Sequence, residues 1–125
     1  MTHVRRPVRV YGVGADPDPR FTLANERTAL AWVRTGLAMV AGGVALTSLA
    51  TFADLSVLLD VVGGITCLLG GGLAVSAFLS WQRTERALRL AQPLPPPVLL
   101  PVLVVCVVVL GLVLGGYALT QATAG

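Results

Sequence analysis

The sequence predicts an all-α integral membrane protein with three transmembrane helices per chain, N-terminus inside and C-terminus outside, assembled as a symmetric homo-oligomer. Three observations lead there. Of 125 residues, 55% are hydrophobic and 12% charged. A typical soluble domain has about a quarter of its residues charged, so lipid must cover much of this surface. Three uncharged runs are each long enough to cross a bilayer. The nine basic residues, all arginine, fall on one side of the alternating spans, and the positive-inside rule orients the chain from that asymmetry.

Residues 1–18 are polar and broken by Pro7, Gly12, Gly14 and Pro17. They are expected to form a flexible cytoplasmic tail, with His3 solvated. The VRVYGV stretch alternates weakly, as a strand added to a partner would, but disorder is the expected state. GVG at Gly12 to Gly14 lacks the third glycine and the preceding strand of a nucleotide-binding loop. About 28 polar or mixed residues precede the first apolar run, the wrong layout for a cleavable signal.

Residues 19–125 form the membrane domain. Asp18 and Pro19 read as a helix start, the aspartate as cap and the proline at the first helical position. Thr35 to Ala53 is uncharged; at 1.5 Å per residue it covers roughly 28 Å. That just spans a hydrocarbon core of about 30 Å, so the first span is placed at 29–53. The turn falls in Phe52 to Asp60, with Asp54 or Asp60 capping the next helix. The second span is 61–81, and its helix continues through Arg83, Glu85, Arg86 and Arg89, where the four-residue spacing of Glu85 and Arg89 favours helix. QPLPPP ends it within a basic cytoplasmic loop, 82–97. The third span is 98–120, with Pro101 in the first turn, where proline is tolerated. Trp32 and Trp81 are expected at the cytoplasmic interface. Cys67 and Cys106 lie in apolar runs, outside any CxxC or Cys/His cluster, and are read as small buried hydrophobes. No metal or cofactor is expected.

Arg20, Arg27 and Arg34 are seven residues apart. Seven residues turn a helix through about 700°, so the three share a face. That face continues through Ala31, Ala38, Ala41, Gly42 and Ala45. Three readings follow. Arg34 reaches up to headgroups while the small residues pack against a neighbouring helix. Glu26 and Glu85 neutralise arginines within the bundle. Or several copies surround an axis, and the arginines form stacked rings of the kind that select anions and phosphates. Glycine in span two (Gly63, Gly64, Gly70, Gly71, Gly72) and the Gly111/Gly115 pair in span three point to close helix packing.

The stretch FTLANERTALAWVRTGLAMVAGGVAL, Phe21 to Leu46, and the segment WQRTERALR, Trp81 to Arg89, resemble domain-of-unknown-function family two-hundred-and-two, the YidH-type bacterial proteins. The resemblance covers about the last hundred residues, and ANERT…W…RT is its most specific part. It implies a small three-span inner-membrane protein. The same domain forms the membrane part of the eukaryotic vacuolar transporter chaperone complex, which makes polyphosphate and passes it through a ring of five membrane domains with a basic cytosolic mouth. Carried over residue by residue, the resemblance implies that Arg20, Glu26 and Arg27 belong to such a mouth. Arg34 matches bacterial members but not the eukaryotic channel subunit. Arg83, Arg86 and Arg89 match a secondary basic segment approximately. The chain departs from the pattern at Leu94 to Pro101, where prolines replace a polar, charged approach to the third span.

The leading functional expectation is an inner-membrane pore or transporter subunit for anions such as polyphosphate. The ligand-binding residues would be Arg20, Glu26, Arg27 and Arg34, and the resemblance favours a pentamer. The alternative is a non-transporting scaffold that binds anionic lipid or a partner protein. No nucleophile and base are paired at motif spacing, so an enzyme is not expected, and neither is a nucleic-acid partner.

Overall fold

The computed structural model describes residues 5–125, so His3 lies outside the described residues. Four helices follow one another: α1 (Val8–Tyr11), α2 (Pro19–Phe52), α3 (Val57–Arg89) and α4 (Leu99–Ala124). The last three are long and apolar enough to cross a membrane. Helix α2 has 34 residues and so runs roughly 50 Å, well beyond a hydrocarbon core of about 30 Å. Its charged N-terminal half and the end of α3 after Trp81 therefore project past the membrane together, at one basic end of the molecule.

Each helix end has a local cause. Asp18 accepts a hydrogen bond from the Arg20 amide at 2.9 Å with Pro19 at the first helical position, as the sequence suggests. At the far end of α2, Asp54 adopts a left-handed conformation, φ 49°, and the Leu55 amide reaches back to the Ala50 carbonyl at 2.9 Å. This closes the helix in a Schellman turn. Neither Asp54 nor Asp60 caps α3. Ser56 does, through the Leu58 amide at 3.0 Å, because a serine hydroxyl just before the first turn reaches an amide that a side chain inside that turn cannot. Helix α3 ends in a second Schellman turn, with Ala91 at φ 52° and the Gln92 amide on the Ala87 carbonyl at 2.9 Å.

Helices α2 and α3 form an antiparallel hairpin that holds nearly all of the packing. On α2 the buried or half-buried positions Thr22, Ala29, Gly36, Gly43 and Ala50 recur every seven residues. On α3, Leu59, Gly63, Thr66, Gly70, Leu73 and Ala77 are buried, at alternating spacings of four and three. This is the repeat of a left-handed helix pair. Glycines meet reciprocally across the seam. A Cβ on Gly36 would lie 2.6 Å from the Gly70 carbonyl oxygen, and one on Gly70 would lie 2.5 Å from that of Gly36. Gly43 and Gly63 repeat the arrangement at 2.5 and 2.8 Å. Lipid removes the hydrophobic drive between helices, so this close backbone approach supplies the contact. The small face through Ala38, Ala41 and Gly42 is not the packing seam. Those residues are exposed, because Ala38 and Ala41 stand two residues from a seam position, about 200° around the helix, and Gly42 stands one residue from it, about 100°.

Helix α4 touches α3 lightly and has no buried residue. It is apolar all round, as suits a helix surrounded by lipid. A Cβ added at Gly111, Gly115 or Gly116 would meet no other helix within 4 Å, so among the described residues the Gly111/Gly115 pair is not a packing seam.

Residues 1–18 are read from sequence as a flexible tail, but the part from Pro7 to Asp16 lies against the end of α3. VRVYGV begins as the helical turn α1, not as a strand, with Val10 1% exposed. Pro7 starts that turn, its carbonyl accepting from the Val10 and Tyr11 amides, and the Arg9, Tyr11 and Val13 carbonyls accept from arginines of α3.

The seam makes a direct prediction. Gly70→Leu or Gly36→Leu should destabilise the hairpin by about 1–3 kcal/mol or more through overpacking. Gly71→Leu, with open space around it, should not destabilise it. Unfolding in detergent micelles measures both, and equal effects at Gly70 and Gly71 would rule out the seam.

Candidate functional site

Polar chemistry concentrates at the projecting basic end and divides into two parts. The first is the α2 stripe. Arg20, Arg27 and Arg34 are exposed, as are Glu26, Ala31, Ala38, Ala41, Gly42 and Ala45. The seam fixes the rotation of α2, so the stripe faces away from α3. Among the described residues no salt bridge involves these three arginines or Glu26. Arg20, Arg27 and Arg34 are thus on one open face, as the heptad spacing implies, and Glu26 lies beside that face.

The second part lies between α2, α3 and the docked N-terminal segment. Glu85 is 1% exposed. Thr22 Oγ1 donates to Glu85 Oε1 at 3.0 Å, and Asn25 Nδ2 to Glu85 Oε2 at 3.3 Å. Asn25 Nδ2 also reaches the Trp81 carbonyl at 3.1 Å. So the expected neutralisation of arginines by Glu85 does not occur: its partners are two uncharged donors on the α2 seam, and Arg89, one turn on, points elsewhere. Glu26 likewise neutralises no arginine.

Arg89 instead fastens the N-terminal segment. Its side chain is 8% exposed. Nε donates to the Val13 carbonyl at 2.9 Å and Nη2 to the Tyr11 carbonyl at 3.3 Å. Nη1 binds the Asp16 carboxylate, and the guanidinium lies 5.5 Å from the Tyr11 ring centre. Arg5 approaches the same carboxylate oxygen at 3.6 Å. Arg86 donates to the Arg9 carbonyl at 2.9 Å. Gly14, at φ 62°, passes so close that a Cβ would lie 2.1 Å from the Arg89 carbonyl oxygen. The glycine needed here is one of the pair in the GVG run. The basic segment of α3 therefore divides: Arg83 is exposed, Arg86 is exposed but tied to the tail, and Arg89 is spent on docking. The docking brings the segment that carries Arg5, Arg6 and Arg9 against the end of α3 that carries Arg83 and Arg86, a basic collar that sequence spacing does not reveal. Trp32 and Trp81 line one cleft of 260 Å³ with Phe21, Asn25 and Thr84, at the same level of the hairpin.

Both parts define a polytopic α-helical membrane protein whose hairpin carries its polar groups at one end. The family described as "Domain of unknown function (DUF202)" matches residues 20–87, the span of the hairpin from the first stripe arginine past Glu85, and the chain belongs to that family. It is 43% identical over 88 residues to Inner membrane protein YidH of Escherichia coli, covering 70% of this chain and 76% of that protein. It is 40% identical over 83 residues to an uncharacterized protein of Mycobacterium tuberculosis, covering 64% and 66%. No solved structure matches significantly. The chain is a multi-pass inner-membrane protein.

Two outcomes are expected. Asn25→Ala leaves an oxygen of buried Glu85 without its donor and should cost about 1–3 kcal/mol; Asn25→Asp, which replaces the donor by a second carboxylate, should cost more. Thermal unfolding in micelles checks the order.

The Asp16 carboxyl is held below the usual carboxylate range by the hydrogen bond from Arg89, then by the charges of Arg89 and Arg5. A depressed carboxylate stabilises docking above its unfolded pKa, and that contribution is lost as the pH falls through the lowered value. The segment should therefore stay docked from neutral to mildly acidic pH and loosen only below the usual aspartate range, whereas Asp16→Asn should loosen it throughout. Amide exchange at Ala15, which bonds the Arg89 carbonyl at 3.2 Å, reports both; a wild type that already loosens at mildly acidic pH would contradict this.

Proposed function

We propose that the chain is one subunit of a homo-oligomeric inner-membrane pore for anions, phosphate polymers among them, and that it is not an enzyme. The observation that carries this reading is the open face of α2. Arg20, Arg27 and Arg34 stand on it at intervals of roughly 10 Å, followed into the membrane by residues no larger than alanine, all exposed. Copies arranged with these faces inward would form two basic rings at Arg27 and Arg34, an outer collar at Arg20, and a small-residue passage beyond. Stacked guanidinium rings concentrate phosphate-bearing anions, and their number lets each contact stay weak enough to release. Glu26 lowers the charge beside the rings. The arginine asymmetry orients the mouth and the 82–97 segment toward the cytoplasm. Five copies are favoured by the resemblance to the polyphosphate-handling complex.

A second reading has its own support. The exposed collar of Arg5, Arg6, Arg9, Arg83 and Arg86 suits a scaffold seated on anionic lipid, with α2 facing lipid or a partner protein.

Arg27→Gln with Arg34→Gln separates the two. The pore reading expects anion conductance in planar bilayers, or polyphosphate binding by the purified oligomer, to fall at least about tenfold while assembly survives. A protein that stays monomeric in nanodiscs, or conductance unchanged by the double substitution, overturns the pore. Binding to anionic vesicles that follows the collar arginines instead favours the scaffold.

A further inference from the structure

Arg89 is the most deeply placed arginine described, and its position is built rather than incidental. Two backbone carbonyls, Val13 and Tyr11, hold Nε and Nη2, and the Tyr11 ring lies beside the guanidinium. This leaves Nη1 facing outward. What meets it is a carboxylate that is 67% exposed. Arg5, itself 64% exposed, approaches the same oxygen, Oδ1, at 3.6 Å. Two guanidinium groups therefore converge on one oxygen atom of a planar group. A tetrahedral phosphate group offers each arginine an oxygen of its own and carries more charge. The convergence lies in a cleft of 350 Å³ bordered by Arg5, Tyr11, Asp16, Thr22, Glu85 and Arg89.

We propose that Arg89 and Arg5 form a binding site for a phosphate group, which the Asp16 carboxylate fills in its absence. Binding exchanges one anion for another at Nη1, so Asp16 leaves and the stretch around it loosens, while the Val13 and Tyr11 carbonyls still hold Arg89 and keep Arg5 beside it. Asp16 is largely hydrated where it stands, so releasing it to solvent costs little desolvation. The phosphate sits at the mouth of the cleft, not its floor. Glu85 lies at the floor with both oxygens engaged by Thr22 and Asn25, and its carboxyl group disfavours an anion there. Arg6, Arg9 and Arg86, exposed on the docked segment and the end of α3, add to the positive field at this end of the molecule and raise the local concentration of anions. No arginine of the α2 stripe borders the site, so it stands or falls separately from the pore.

The test follows amide exchange of residues 10–17 in the full-length protein. One arm adds inorganic phosphate to protein in uncharged detergent. The other compares phosphatidylcholine nanodiscs with nanodiscs containing phosphatidylglycerol, without free phosphate. Sodium chloride at matched ionic strength controls for screening, because a plain ion pair also weakens with salt. Faster exchange with phosphate alone assigns a soluble ligand; faster exchange with phosphatidylglycerol alone assigns a lipid headgroup. In calorimetric titration, which does not depend on docking, Asp16→Asn should bind the active probe several-fold more tightly, since the internal competitor is gone. Arg5→Gln, at an exposed position that leaves Arg89 in place, should weaken binding several-fold with the segment still docked. The proposal is overturned if neither probe acts, if chloride acts as strongly, or if Asp16→Asn binds no more tightly than wild type.

Discussion

The approach of backbone to backbone between α2 and α3 sets everything else in this molecule. In water, two apolar helices are pressed together by the solvent; in lipid they are not, and contact must come from dispersion between surfaces that fit. Gly36 against Gly70 and Gly43 against Gly63 bring the main chains within reach of each other's carbonyl oxygens. Such contact tolerates almost no rotation of either helix. Once α2 is locked, Thr22 and Asn25 must face α3, where Glu85 waits, and the arginines two residues out of step must face away. The buried polar cluster and the open basic stripe are two results of one helical phase.

That phase was present in the sequence but overshadowed. The Arg20, Arg27, Arg34 repeat is conspicuous because arginine is conspicuous, and its extension into alanine and glycine invites a packing interpretation. The true seam, Thr22, Ala29, Gly36, Gly43 and Ala50, has the same period with less distinctive residues. The three spans and the common end for the arginines followed from hydropathy and charge, and the Asp18–Pro19 start from capping preference. The docking of the N-terminal segment did not. It depends on carbonyl groups, which every residue has, and on one glycine whose positive φ is invisible until a neighbour is known. Ser56 displaced the two nearby aspartates as a cap for a reason of register: composition says which residues can cap, whereas only the turn says which one stands in the right place.

The basic end is thus two chemical environments rather than one reservoir of positive charge. The α2 face offers unpaired guanidinium groups in a line, suited to many weak and exchangeable contacts with a long anion. At the end of α3, one guanidinium is nearly enclosed and held by several partners, suited to a single discrete contact. Glu85 lies buried in the hairpin with both oxygens engaged by Thr22 and Asn25. Its neutral donors keep a carboxylate in the hairpin without drawing on either arginine group, which leaves both groups available at their own surfaces.

At the opposite end, the hairpin turns through the short stretch from Ala53 to Ser56, and the acidic groups near this tip are Asp54 and Asp60. In the proposed orientation, this tip is what must be carried across the bilayer during biogenesis. Carboxylates count for little in deciding which segments are translocated, whereas arginines hold their flanks back. With a compact tip free of basic residues and complementary faces already in register, α2 and α3 can enter the membrane as a single paired unit, leaving α4 to be threaded afterwards as an independent span.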